Sequence, residues 1–206
     1  MMRVILDRAK PRMIKPTSKK DETHGRIVRA AARAIRKHGY EGLGVAQVMK
    51  DAGLTHGGFY AHFDSRDALL AEAADQAGAE SIESLSRAVA AAKQGEELAA
   101  LVDSYLSDRH VHAPEQGQGC AVAAAGSDVA RQPPEVRRTA TRRIKDLIGL
   151  VERQMPDWGK AGSRDKAMAI VGCLVGTLLI ARFVEDPELS RALRKAARGF
   201  IRDAAG

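Results

Sequence analysis

Apolar positions recur at helical spacing along most of the chain. From Ser18 onward, Ile27, Ala31, Ala34 and Ile35 fall at i, i+4, i+7 and i+8, while Arg26, Arg29, Arg33 and Arg36 take other faces. That is the pattern of an amphipathic helix. Ser18 suits its N-cap, Asp21 and Glu22 favour the positive end of its dipole, and Gly39 is placed to end it. A short second helix is predicted from Val45 to Ala52 and is broken by Gly53. A third, capped by Thr55, ends near Phe63, and a long fourth, capped by Ser65, reaches the region of Ala92. Leu98, Leu101, Val102, Tyr105 and Leu106 mark a helix over about 96–111, then a loop over 113–118 and a short helix over 121–130. Pro133-Pro134 opens a helix to about Met155, the 156–162 loop precedes one over 164–184, and Pro187 opens the last, to about Asp203. The fold class is all-α, about nine helices with no convincing strand and no internal repeat.

Composition agrees: the chain is 45% hydrophobic but only 4% aromatic, which suits helices better than sheets. The charge matters more for its placement than its size. Residues 1–38 carry 12 Lys+Arg and 3 Asp+Glu, and residues 39–206 carry 21 and 23, so the formal +7 sits at the N-terminal end. A basic end on a near-neutral body points to an anionic polymer or surface. Residues 1–17 read as a flexible basic arm, with Lys10, Arg12 and Lys15 between Pro11 and Pro16, and Met2 and Met13 are alternative starts. Cys120 and Cys173 are far apart and form no CxxC pair, which fits a reducing compartment. No secretory signal is visible, and the apolar run from Met168 to Leu179 is short for a bilayer span. The expected location is the cytoplasm.

The 45–63 stretch has the layout of a helix-turn-helix. A helix, a tight turn at Ala52-Gly53-Leu54 and a second helix follow in order, with Val45, Val48, Met49, Leu54 and Phe59 available to pack inward. The order Gly39-Tyr40-Glu41-Gly42, Val45-Ala46-Gln47-Val48, Ala52 through Phe63, then Ser65-Arg66-Asp67-Ala68-Leu69-Leu70 resembles the signature of the tetracycline-repressor-like (TetR) family of transcriptional regulators. Gly44 departs from it, standing where the family usually has Ser or Thr as the cap, at a cost of a few tenths of a kcal/mol. The resemblance implies a DNA-binding domain over 18–64 and a ligand-binding and dimerisation domain over 65–206.

Position by position, the resemblance assigns Thr55, Tyr60 and His62 to phosphates, with Gln47 and Arg66 as further phosphate contacts. His56, Gly57 and Gly58 match positions that face base edges. The tip has no Arg, Asn or Gln, the bidentate readers of G and A, so His56 is its main reader and DNA shape must share in specificity. Phe59 and Phe63 are assigned to the core.

The segment 164–184 is apolar nearly all round, so it needs cover on two sides. The resemblance implies a homodimer through the last two helices, with Val171, Leu174, Leu178, Phe183, Leu193 and Phe200 at the interface. The partners expected are a pseudo-palindromic duplex operator, a second copy and a small hydrophobic effector that releases DNA. Tyr105, His110, Cys120, Met155 and Trp158 are the candidate cavity residues. His110 and His112, two apart, point about 200° apart on a helix and do not grip one metal ion, and no cofactor is implied. No nucleophile–base spacing, phosphate-binding glycine loop or paired carboxylate suggests catalysis. Two alternatives stay open: redox sensing through Cys120, and a helical interaction protein whose basic arm meets membrane or RNA.

Overall fold

The structure is a computed structural model and describes residues 18–205. The basic arm of residues 1–17 lies outside the described residues. Among those described are nine α-helices, two 3₁₀ segments and no strand. In chain order they are α1 (Lys19–His38), α2 (Val45–Asp51), a 3₁₀ segment His56–Ala61, α3 (Arg66–Ala90), α4 (Glu97–Tyr105) and α5 (Asp108–His112). A 3₁₀ segment Ala113–Gln116, α6 (Ala121–Val129), α7 (Pro134–Glu152), α8 (Ser163–Phe183) and α9 (Pro187–Ala205) complete it.

The helix ends follow the local chemistry. The Ser18 hydroxyl accepts from Asp21 N and the Asp21 carboxylate accepts from Ser18 N, both at 3.1 Å, a reciprocal capping box. Ser65 caps α3 by accepting from Ala68 N. The helix expected over 96–111 is in fact two. The Ser107 hydroxyl accepts from His110 N and starts a new helix, so the chain turns between Tyr105 and Asp108. The expected loop over 113–118 contains a 3₁₀ turn, Ala113–Gln116, with Pro114 as its second residue.

Two apolar cores share one long helix. The first joins Ile27, Ala31 and Ile35 of α1 to Tyr40, Val48, Met49, Phe59, Phe63 and the first three turns of α3, from Leu69 to Ala74. The second is built from α3, α4, α7, α8 and α9 around Leu101, Tyr105, Leu150, Ile170, Leu174 and Ile201. The 25-residue α3 enters both. Charged contacts fix its position. Asp75 accepts two bonds of 2.8 Å from Arg143 and one of 2.6 Å from Arg142. Although burial opposes it, these arginines hold the Asp75 carboxyl below the usual carboxylate range. Arg36, 4% exposed on α1, donates to the Ala77 carbonyl and to Glu80 of α3.

The last two helices pack together and leave one side bare. Of the expected interface residues, Val171, Leu174 and Leu178 are buried in the chain's own core. An apolar helix has no polar face to mark its inward side, so its pattern cannot separate core residues from interface residues. The open side of α8 carries Met168, Leu179, Ile180 and Phe183, and α9 adds Leu189 and Phe200. Leu193 is half-buried. At Gly172 and Gly176 an added methyl group would meet nothing within 4 Å. By length and composition α8 passes as a membrane span, yet its Ala167, Ile170 and Leu174 side packs into the core.

Candidate nucleic-acid interface and ligand cleft

The turn between the two short helices is a Schellman motif. Leu54 N donates to Met49 O and Gly53 N to Lys50 O, both at 2.9 Å, with Gly53 at φ +71°. Glycine is suited to that left-handed conformation because it has no Cβ to clash. The expected third helix is a 3₁₀ segment, and the Thr55 side chain does not cap it; the Thr55 carbonyl accepts from Gly58 N instead. Phe59 and Phe63 point inward, both 3% exposed, with their rings stacked 5.6 Å apart. Anchored through them, the segment turns its other side outward.

That outer side gathers several expected contact residues. Gln47, Thr55, His56 and Gly57 are exposed, and Tyr60 is 74% exposed. Gln47 is held by a 2.7 Å bond to Asp51. Gly58 is half-buried, and a Cβ there would lie 3.6 Å from the Met49 methyl. Two residues sit differently. Arg66 is half-buried, and its guanidinium donates to Tyr40 O at 2.8 Å and to Leu43 O at 3.3 and 3.4 Å. Through Nε and Nη2 it ties the α1–α2 connection to α3. His62 is half-buried with Nδ1 enclosed, its ring beside His24, which stacks on Phe63 at 4.5 Å. Lys50, exposed in the last turn of α2, is a cation on this side that the motif did not single out; only its charge could have signalled it.

Residues 27–73 match the family model described as bacterial regulatory proteins, tetR family. This stretch of the chain is a DNA-binding region of the tetR family. Solved structures share its fold. A TetR-family regulator from Cytophaga hutchinsonii superposes with a TM-score of 0.74 at 19% identity, covering 92% of this chain and 98% of that one. A TetR regulator from Chloroflexus aurantiacus gives 0.74 at 21% identity, over 89% and 96%. The reduced form of Escherichia coli NemR gives 0.71 at 15% identity, over 88% and 96%. No curated protein matches the chain. Helix-turn-helix binding of DNA and regulation of transcription are what this match over residues 27–73 carries.

Beside this DNA-binding unit lies a cleft of about 510 Å³. Arg33 and Arg36 of α1 form one wall, and Glu80 to Arg87 of α3 another. Ser104 to His110 and the 113–120 segment close it. Of the expected cavity residues, Tyr105, His110 and Cys120 line it. Met155 is buried in the second core and Trp158 is 60% exposed in the loop before α8, so neither belongs to the cleft. An apolar cavity was expected, but four arginines, two glutamates and several serines face this one.

The inner end has a defined protonation state. His110 Nδ1 lies 2.6 Å from the Tyr105 carbonyl, which only accepts, so Nδ1 carries the proton. Nε2 accepts from Cys120 N at 2.8 Å, so the ring is neutral and both nitrogens are occupied. Burial lowers the His110 pKa to about 4. Tyr105 is 1% exposed, and its hydroxyl has no hydrogen-bond partner among the described residues. Burial, then the neighbouring Cys120, pushes that hydroxyl's pKa well up. Cys120 itself is 4% exposed.

Proposed function

We propose that the chain is a cytoplasmic, homodimeric repressor that leaves a pseudo-palindromic operator when a small molecule binds. The observation that carries this is the 47–60 surface, where Gln47, Thr55, His56, Gly57 and Tyr60 are presented together on a unit whose other side is buried in core. Thr55, Tyr60 and Gln47 contact phosphates, joined by Lys50, and His56 with the Gly57 backbone faces the bases. Arg66 and His62 act from behind, by holding the unit together. Burial of Cys120 favours an effector over a thiol oxidant, because oxidation follows exposure and thiolate character.

Selection from a random duplex pool, followed by fluorescence anisotropy across salt concentrations, tests this. The selected sites should show two-fold symmetry, and affinity should fall by a log–log slope of about −0.9 for each neutralised phosphate. His56→Ala should narrow the gap between selected and random DNA, whereas Tyr60→Ala should weaken both alike. A pool that never enriches would refute DNA recognition.

A further inference from the structure

The charges that line the cleft are only half neutralised by one another. Arg36 is paired with Glu80, and Arg87 with Glu83, both at 2.6 Å. Arg33 of α1 and Arg109 of α5 line it as well. Both are exposed, and neither side chain makes an ion pair or a hydrogen bond among the described residues. His110 adds no charge, since its ring is neutral. Four cations against two anions leave the lining with two positive charges to spare. On a convex surface such cations are simply solvated. Inside a cleft the low-dielectric walls focus their field and concentrate anions there.

The two spare charges belong to different elements but to one neighbourhood. A Cβ at Gly117 would lie 2.8 Å from the Arg33 side chain. One at Gly119 would lie 2.9 Å from the ring of His110, the residue after Arg109. Positions two apart in a chain are at most about 7 Å from each other, so Arg33 and the Arg109–His110 pair border the same short segment. A compact anion such as phosphate would concentrate its charge at one point. Two carboxylates joined by a short carbon chain can meet one guanidinium each, and the guanidinium fork matches a carboxylate bidentately. Leu85 and Ala113 add apolar surface to the lining for the carbon chain.

We propose that the cleft receives a small organic dicarboxylate, with one carboxylate held by Arg33 and the other by Arg109. Such a molecule is the effector of the reading given under Proposed function, on which this proposal rests. The cleft volume of about 510 Å³ is in the range of small-molecule sites, roughly 300–1,000 Å³. The two arginines also give the ligand a route to DNA affinity. Arg33 belongs to α1, which shares the core beneath the helix-turn-helix, whereas Arg109 belongs to α5 of the body. The segment they border is bonded to α1 by Arg36 through the Gly117 carbonyl, at 3.3 Å. It is bonded to α3 by Ser81 through the Gly119 carbonyl, at 3.1 Å. A ligand gripped at both ends favours one placement of α1 against the body. DNA affinity then changes to the extent that this placement differs from the DNA-bound one.

The test uses the full chain, titrated by calorimetry and thermal shift with succinate, glutarate and adipate, and with the monoamide of each. At least one diacid should bind with a submillimolar Kd and raise Tm. Its monoamide, of the same length with one charge fewer, should bind at least tenfold more weakly. Arg33→Gln and Arg109→Gln remove exposed side chains, so both should stay folded by circular dichroism. Each should weaken the diacid about tenfold, the usual effect of losing a hydrogen bond to a charged group. Arg138→Gln removes an exposed arginine of α7 that does not line the cleft, and should leave binding unchanged. Equal binding of diacid and monoamide, undiminished binding by either cleft variant, an equal loss in Arg138→Gln, or no binding of any diacid at millimolar concentration would overturn the proposal. Anisotropy on selected DNA separates the two readings. Diacids that bind through Arg33 and Arg109 and leave DNA affinity unchanged uphold the site and defeat effector release.

Discussion

The guanidinium of Arg66 ends on the carbonyls of Tyr40 and Leu43, and that contact determines what the side chain does for DNA binding. A free surface arginine would add one unit of salt dependence per phosphate it touched. This one holds a loop. Arg66→Ala should therefore cost about 1.5–3 kcal/mol of stability, the usual range for hydrogen bonds made by a charged group. The salt slope of DNA binding should stay as it is. Urea unfolding and anisotropy read the two effects separately, and a slope flattened by about one per subunit would return Arg66 to the phosphates. His110 gives a pH dependence of known sign. Its pKa is about 4 in the folded chain against an ordinary 6.5. Between those values the unfolded chain binds a proton that the folded chain refuses, so stability falls as pH drops from 6.5 towards 4 and levels off below. The loss is about 3 kcal/mol at most. Urea unfolding of wild type and His110→Gln at pH 7.5 and 5 should show a difference that shrinks at the lower pH. A constant difference would contradict a neutral buried ring.

Gly53 and Gly57 stand four residues apart and make opposite demands on their elements. Gly53 lies at φ +71°, so an alanine there is strained even though nothing crowds its Cβ. Gly53→Ala should lower stability by about 1 kcal/mol. Gly57 has ordinary backbone and open space, so Gly57→Ala should leave Tm unchanged and weaken DNA binding by keeping the backbone off the groove. A thermal melt beside an anisotropy titration checks both, and unaltered DNA affinity in Gly57→Ala would remove the backbone from recognition. The Gly53 turn was legible in the sequence because a glycine between two apolar runs has a local cause. So were α1, α7 and α9, which are long, periodic and opened by Ser18, Pro134 or Pro187. The break at Ser107 was not, since a capping serine competes with a helix that could equally run through it. The exposed tip of the site was readable from the motif. The tethering of Arg66 was not, because main-chain carbonyls have no sequence signature. The polarity of the cleft was hidden for a related reason. Arg33 and Arg36 belong to α1, far in sequence from Tyr105, and only the fold brings them together.

The whole molecule leaves an apolar strip on α8 and α9, with Phe183 66% and Phe200 62% exposed. A second copy of this chain covers that strip in the proposed homodimer. Phe183→Glu combined with Phe200→Glu should yield folded monomers by light scattering, with unchanged helix content. Leu178→Glu should unfold the chain instead, because Leu178 is 0% exposed within its own core. A wild-type monomer at micromolar concentration would rule out this interface. The continuity of α3 bears on how such a protein can be re-engineered. Leu69, Leu70, Ala73 and Ala74 complete the core beneath the helix-turn-helix, and Ala125 and Val136 reach it from later in the chain. A hybrid regulator spliced at Ser65 would cut away the lid of its own reading head and oblige the donor body to supply a new one. Grafts that keep residues up to Ala77, and match the donor at positions 125 and 136, should transfer operator preference intact. Shorter grafts should yield chains that retain every base-facing residue and still fail to read.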